Sequence, residues 1–189
     1  MKALVFDYGA GNLHSLTRAL EAVGVTSTIE VDPVACARSS ELLVLPGVGA
    51  FGLAAARLRP GLEALRKQLF DGRPCLGICL GMQLFFGTSE EGEGEGLAVV
   101  PGTVTRLTSR RCPHIGWTKV DGLDEMYFAH SFACRPSDPA IVSAWATHDG
   151  DRIAAIIRSK NLVGTQFHPE KSSKAGLALL ERLVHEVTQ

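Results

Sequence analysis

A chain of 189 residues, 46% hydrophobic and 21% charged with a formal net charge of -1, can fill one apolar core and is short for two. That balance removes the electrostatic case for nucleic acid or an anionic membrane as the main partner, and no apolar run nears the roughly 18 residues of a membrane span. The cysteines (Cys36, Cys75, Cys79, Cys112, Cys134) lack zinc-type spacing, and Asp7 interrupts any signal-like start, so free thiols in a reducing cytoplasm and no bound metal are expected.

Residues 2–6 read as a buried strand, followed by a loop at 8–11. Leu13, Leu16, Ala19, Leu20 and Val23 then recur at helical spacing, with Asn12 placed to cap that helix and Gly24 to end it. Residues 26–31 and 42–45 are the next strands. The second has no polar alternation, which suits a parallel sheet covered on both faces. A helix over 61–70, a strand over 74–78 and a helix over 80–86 complete a βαβαβα half. The acidic stretch 90–96 reads as a solvated loop. Strands are expected over 99–107, 126–132, 141–147, 153–158 and 162–167, with a hairpin turn at Asp149-Gly150, and then a last amphipathic helix from Ser172 or Ser173. The expected architecture is one α/β domain over 1–189: an open, largely parallel sheet flanked by helices and extended by antiparallel strands in the C-terminal half.

Two short motifs carry the chemistry. Gly77-Ile78-Cys79-Leu80-Gly81 sits at a strand-to-helix junction, the thiol form of a nucleophile elbow. Alone it leaves open a reactive thiol or a buried structural one. Gln166-Phe167-His168-Pro169-Glu170, far downstream, supplies an imidazole to take the proton and a carboxylate to orient it. A helix beginning at Leu80 would favour the thiolate through its dipole. Pro169 gives an extended exit from the strand, so Glu170 turns back to the side of His168. An oxyanion needs backbone N–H groups. Leu80 beside the nucleophile is one source, and the Pro46-Gly47-Val48-Gly49 turn, through Val48 and Gly49, is another. No Gly-Lys-Ser/Thr follows that turn, so it is not a phosphate loop.

With residues 77–83, 46–49 and 168–170 together, the chain resembles the class I glutamine amidotransferases. The segments Asp7 to Ser15, Pro113 to Trp117, Tyr127 to Phe132 and Gln166 to Ser173 narrow the likeness to glutaminase subunits that work beside a TIM-barrel cyclase in histidine biosynthesis. The resemblance implies that Cys79 attacks the carboxamide of glutamine and forms a thioester, that His168 shuttles protons, and that Glu170 holds the imidazole. It places Gln83 and Glu91 at the amino-acid end of the substrate and the backbone of His130, Ser131 and Phe132 around the pocket. Glu91 is chosen over Glu90 by that likeness alone. Asn12, Trp117 and Lys171 fall at the partner interface, and no cofactor is implied. The partner would be the TIM-barrel cyclase subunit in a heterodimer, using the ammonia to make imidazole glycerol phosphate and an aminoimidazole carboxamide ribonucleotide. An isolated subunit held nearly inactive until the Gly47-Val48-Gly49 peptide turns its N–H to the site is a further expectation.

Two positions depart from the pattern: Thr118 stands where Asn is usual, a change expected to bear on the interface, and Phe132 stands where Tyr is frequent. The glutaminase component of another synthase, a partner-independent cysteine hydrolase on the same scaffold, and a binding module with a structural Cys79 remain open alternatives.

Overall fold

A computed structural model describes residues 1–9 and 13–189. In chain order the elements are β1 (Lys2–Phe6), α1 (His14–Ala22), β2 (Thr26–Glu30), α2 (Pro33–Cys36), β3 (Leu42–Leu45), α3 (Phe51–Leu58), α4 (Leu62–Phe70), β4 (Cys75–Ile78) and α5 (Leu80–Gln83). The second half adds β5 (Gly102–Arg106), β6 (His114–Lys119), β7 (Glu125–His130), β8 (Phe132–Pro136), β9 (Val142–His148), β10 (Asp151–Ser159), β11 (Leu162–Thr165) and α6 (Ser173–Val187).

A seven-stranded sheet runs in the order β2-β1-β3-β4-β11-β10-β9. β2, β1, β3, β4 and β11 are parallel, and β10 and β9 extend them antiparallel. The apolar runs of the central strands follow from their having two buried faces. Leu43 and Leu45 of β3 join the core under α3 and α4, while Leu42 and Val44 join the opposite core under α1 and α6. Leu4 and Phe6 against Ala3 and Val5 of β1 divide in the same way. Two short ribbons, β5–β8 and β6–β7, sit apart from this sheet.

Several boundaries differ from the sequence reading. The expected strand over 126–132 is two strands: β7 pairs with β6 and β8 with β5, and the chain changes partner at Ser131. β6 was not anticipated, because Ile115 and Trp117 face outward between inward His114 and Thr118. α3 was also missed. Its first residue follows Ala50, which has no side-chain acceptor to cap it, and the cap comes from Glu91 Oε2 to the Phe51 N–H at 2.7 Å. The helix expected over 80–86 is a single turn, Leu80–Gln83, continued by 3-10-like bonds from Phe85 N–H to Met82 and from Phe86 N–H to Gln83. The acidic stretch 90–96 is the mostly exposed loop expected, tied at its ends: Glu90 Oε2 accepts from Arg106 N–H at 2.7 Å, and Arg66 holds Glu95 and the Gly96 and Leu97 carbonyls. Asn12 and its expected capping role lie outside the described residues.

Candidate active site

The carboxyl ends of three adjacent parallel strands converge. Leu45 pairs with Gly77, Gly77 with Gly164, and Ile78 with Thr165, so the 46–49 turn, Cys79 and the 166–170 segment leave the sheet side by side. Cys79 sits at φ 49, ψ -105, a conformation a side chain adopts only under constraint from its surroundings. That constraint is visible: its N–H donates to the Thr165 carbonyl at 2.6 Å. A Cβ on Gly77 would lie 2.7 Å from the Gly81 backbone, and one on Gly81 would run into the Leu45 carbonyl, so both flanking glycines are needed for the turn to close.

Cys79 is 5% exposed. Gln166 Nε2 lies 3.6 Å from Sγ and the Ala129 carbonyl 4.0 Å. His168 Nδ1 and Glu170 Oε1 are 2.7 Å apart, with both side chains nearly buried. A carboxylate only accepts, so Nδ1 carries the proton toward Glu170 and Nε2 is left for the sulfur. The His168 backbone is clamped as well: its N–H donates to Tyr127 O at 2.9 Å and its carbonyl accepts from Ser172 Oγ at 2.6 Å. Burial alone would pull the His168 imidazole down; the Cys79 sulfur, by charge and by hydrogen bond, and then Glu170 outweigh it and lift the pKa to about 10. The Cys79 sulfur and the Glu170 carboxylate thus bracket a His168 imidazole that favours its protonated form.

A cavity of about 240 Å³ opens over Sγ. It lies below the roughly 300 Å³ lower range of drug-sized sites, a scale suited to one amino acid. Of the expected residues, Gly49, Leu80, Gln83, Glu91, His130, Ser131 and Phe132 all line it with Cys79. Val48 does not; its side chain packs half-buried against the α1–α6 core. Gly49 has φ +106, and Leu80 N–H belongs to the first turn of α5, whose leading amides have no partner within the helix. α5 is only one turn long, so it offers those amides rather than the longer helix dipole expected from sequence. Gln83 Nε2 donates to Phe132 O at 2.9 Å, tying the two sides of the pocket. Glu91 lines it whereas Glu90 does not.

Gln166, quoted from sequence only as part of the His168 motif and given no role, stands at the site, and its position two before His168 was the available signal. Gly47, read from sequence only as part of the oxyanion turn, also closes on the imidazole: a Cβ there would lie 2.7 Å from His168 Cε1 and 3.0 Å from Cys79 Cβ. Nothing local announces that approach. Thr118 also proves to face inward, its Oγ1 2.7 Å from His114 Nε2, rather than out of β6.

Residues 4–187 match the family model described as glutamine amidotransferase class-I. The chain belongs to the class I glutamine amidotransferases. This amidotransferase is 40% identical to the imidazole glycerol phosphate synthase subunit HisH of Microcystis aeruginosa, over 97% of this chain and 94% of that one. It is 42% identical to the subunit of the same name from Aquifex aeolicus, covering 96% and 95%. Among solved structures it superimposes on a glutamine amidotransferase with TM-score 0.76 at 17% identity, covering 98% and 99% of the two chains. PurLQS from Thermotoga maritima gives 0.68 at 20% identity, covering 98% of each. These two likenesses speak for the fold. On the amidotransferase surface Trp117 is 49% exposed and neighbouring Ile115 63%, and Lys171 is exposed just beyond Glu170. Among the described residues no helix is long and apolar enough to cross a membrane.

Proposed function

We propose that this chain, acting as one domain, is the glutaminase subunit of an imidazole glycerol phosphate synthase. The observation that carries the proposal is the buried line Glu170–His168–Cys79 opening onto an amino-acid-sized cavity, in a chain about 40% identical to HisH subunits along nearly its whole length. The Cys79 thiolate attacks the side-chain carbonyl carbon of glutamine, and the electron pair moves onto oxygen. Backbone amides of Leu80 and of the Val48–Gly49 turn are the donors for that oxyanion. As the tetrahedral adduct collapses, the C–N bond breaks and the His168 imidazolium gives its proton to the departing nitrogen, leaving a thioester and ammonia. Neutral His168 then takes a proton from the water that attacks the thioester, which releases glutamate and restores the thiolate–imidazolium pair. Glu170 keeps the ring oriented and offsets its charge. Glu91 faces the substrate α-ammonium, and Gln83 with the 130–132 backbone encloses the rest.

Ammonia released to water would be protonated and lost, so the product is passed to a partner, a TIM-barrel cyclase subunit. The partner surface includes Trp117 and Lys171, both exposed, and, by the likeness to the family, Asn12. The compartment is the cytoplasm, where the free thiols persist. The test is glutamine hydrolysis with and without the cyclase and its nucleotide ligand. Turnover should be low alone and strong in the complex. Cys79→Ala should abolish glutamine-dependent synthesis and spare synthesis from added ammonia. Full turnover by the chain alone, or equal loss of both syntheses, would overturn the proposal.

A further inference from the structure

Behind the 130–132 wall of the cavity lie buried histidines that the triad does not use. His114, 1% exposed, is sandwiched between Phe128 (ring centroids 4.5 Å apart, 19° between planes) and His148 (3.9 Å, 16°). Its two nitrogens are both engaged: Nδ1 lies 3.0 Å from His130 Nε2, and Nε2 lies 2.7 Å from Thr118 Oγ1. His130 Nδ1 in turn lies 2.8 Å from the Phe132 carbonyl. On a straight strand, residues four apart stand about 13 Å from one another, too far for His114 to reach Thr118. Gly116, at φ +128, bends β6 between them.

Hydrogen positions along this line follow from chemistry. Burial first, then His130 and His148, hold the His114 pKa down at about 3. Burial, with His148 and His168, holds His130 at about 4 against the opposing pull of the Phe132 carbonyl and Asp151. Each ring is therefore neutral and has one N–H. A carbonyl only accepts, so His130 Nδ1 is the donor and its Nε2 the acceptor. His114 Nδ1 must then donate to His130, which makes His114 Nε2 the acceptor of the Thr118 hydroxyl. Reversing any one link would set two protons or two lone pairs face to face.

The line ends on the site. Phe132 O accepts from His130 and from Gln83, while the preceding Ser131 carbonyl accepts from Leu107 N–H at 2.9 Å. Carbonyls on successive residues are thus held by different elements, which fixes the orientation of the backbone lining the cavity. We propose that Thr118, His114 and His130 are positioning residues, a one-way hydrogen-bond relay that holds the Phe132 carbonyl and through it the wall of the glutamine cavity. The inference rests on that cavity being the glutamine site, and it explains Thr118: what position 118 needs is a donor pointing inward.

The test has two arms. In the full chain with 15N-labelled histidine, two-bond proton–nitrogen correlation spectra at neutral pH should show His114 and His130 both protonated at Nδ1 and bare at Nε2, the reverse of the form that predominates in free histidine. An Nε2-protonated ring at either position overturns the relay whatever the chain does to glutamine. In the complex with the cyclase, His114→Phe keeps the stack and removes the donor; the KM for glutamine should rise about tenfold with kcat within about twofold. His114→Gln, whose amide can still donate to His130 Nε2, should recover most of that KM. A wild-type KM in His114→Phe, or a fall in kcat alone, overturns the relay. Should His114→Phe fail to fold, Thr118→Val takes its place, with about a threefold rise in KM expected and recovery in Thr118→Ser; no rise overturns the relay. A wild-type complex that does not hydrolyse glutamine would instead sink the assignment of the cavity and leave the spectra to judge the relay.

Discussion

Gly47 fills the gap between His168 and Cys79, and alanine there probes the proposed geometry with one methyl group. The added Cβ would stand 2.7 Å from His168 Cε1, some 0.7 Å short of the 3.4 Å at which ordinary contact begins. It would also lie 3.0 Å from Cys79 Cβ and from the Ile78 carbonyl. Gly47 is not among the glycines with positive φ, so the backbone accepts alanine and the effect is steric. Relief has to come from the imidazole, yet Glu170 grips it at 2.7 Å and its backbone is clamped by Tyr127 and Ser172. The ring therefore tilts away from Sγ, and a misplacement approaching 1 Å between reacting groups lowers turnover about a hundredfold. The assay is glutamine-dependent synthesis by the complex, with ammonia-dependent synthesis and the melting temperature as controls. Glutamine-dependent kcat/KM should fall about a hundredfold and the controls should hold. Wild-type turnover from glutamine would refute the placement of His168 as the working acid and base.

Glu170→Gln should lower kcat by about two to three orders of magnitude, because an amide can donate to His168 Nδ1 and so push the ring proton to the nitrogen that faces sulfur; a near-normal kcat would show that Glu170 does not set the tautomer. Gln166→Leu removes the N–H that lies 3.6 Å from Sγ, and alkylation of Cys79 by iodoacetamide at neutral pH should slow about tenfold. An unchanged rate would remove Gln166 from the nucleophile's surroundings. Acid should destabilise the fold through the buried pair of imidazoles. Unfolded, His114 and His130 titrate near 6.5; folded, at about 3 and 4. Above pH 6.5 both states bind the same protons and this contribution is whole. As pH falls below 6.5 the unfolded state takes up protons the folded state refuses, so stability drops through the window down to about 3, by up to about 1.4 kcal/mol per ring per pH unit. Urea unfolding at pH 7 and 5 measures this, and an unchanged midpoint would show that the pair is not held neutral.

The central strands were legible because their apolar runs answer to two cores at once, as in Leu42–Leu45, where alternate residues enter opposite layers. The elbow and the His-Pro-Glu turn were legible because each is a local device of a few residues. What escaped was relational. α3 has Phe51, Ala54, Ala55 and Leu58 on one buried face, but its cap is Glu91, forty residues away in the chain. Within the run 126–132 the residue types alone did not mark Ser131 as the point where pairing passes from β6 to β5; the inward alternation of 126–130 breaks there only as the chain takes its new partner. The closeness of Gly47 to His168, and the turn of Thr118 toward His114, exist only once the strands have met.

β11 is the last strand of the described chain, yet it lies inside the sheet, between β4 and β10. Everything before it can be synthesised and still lack both the imidazole and the partner that covers one edge of β4. A ribosome-bound chain at that stage has a thiol with no base and an apolar edge open to other chains. Insertion of β11 closes the edge and delivers His168 in the same act. On the proposed mechanism, no glutamine can be spent before that last strand is home, whatever partner is waiting.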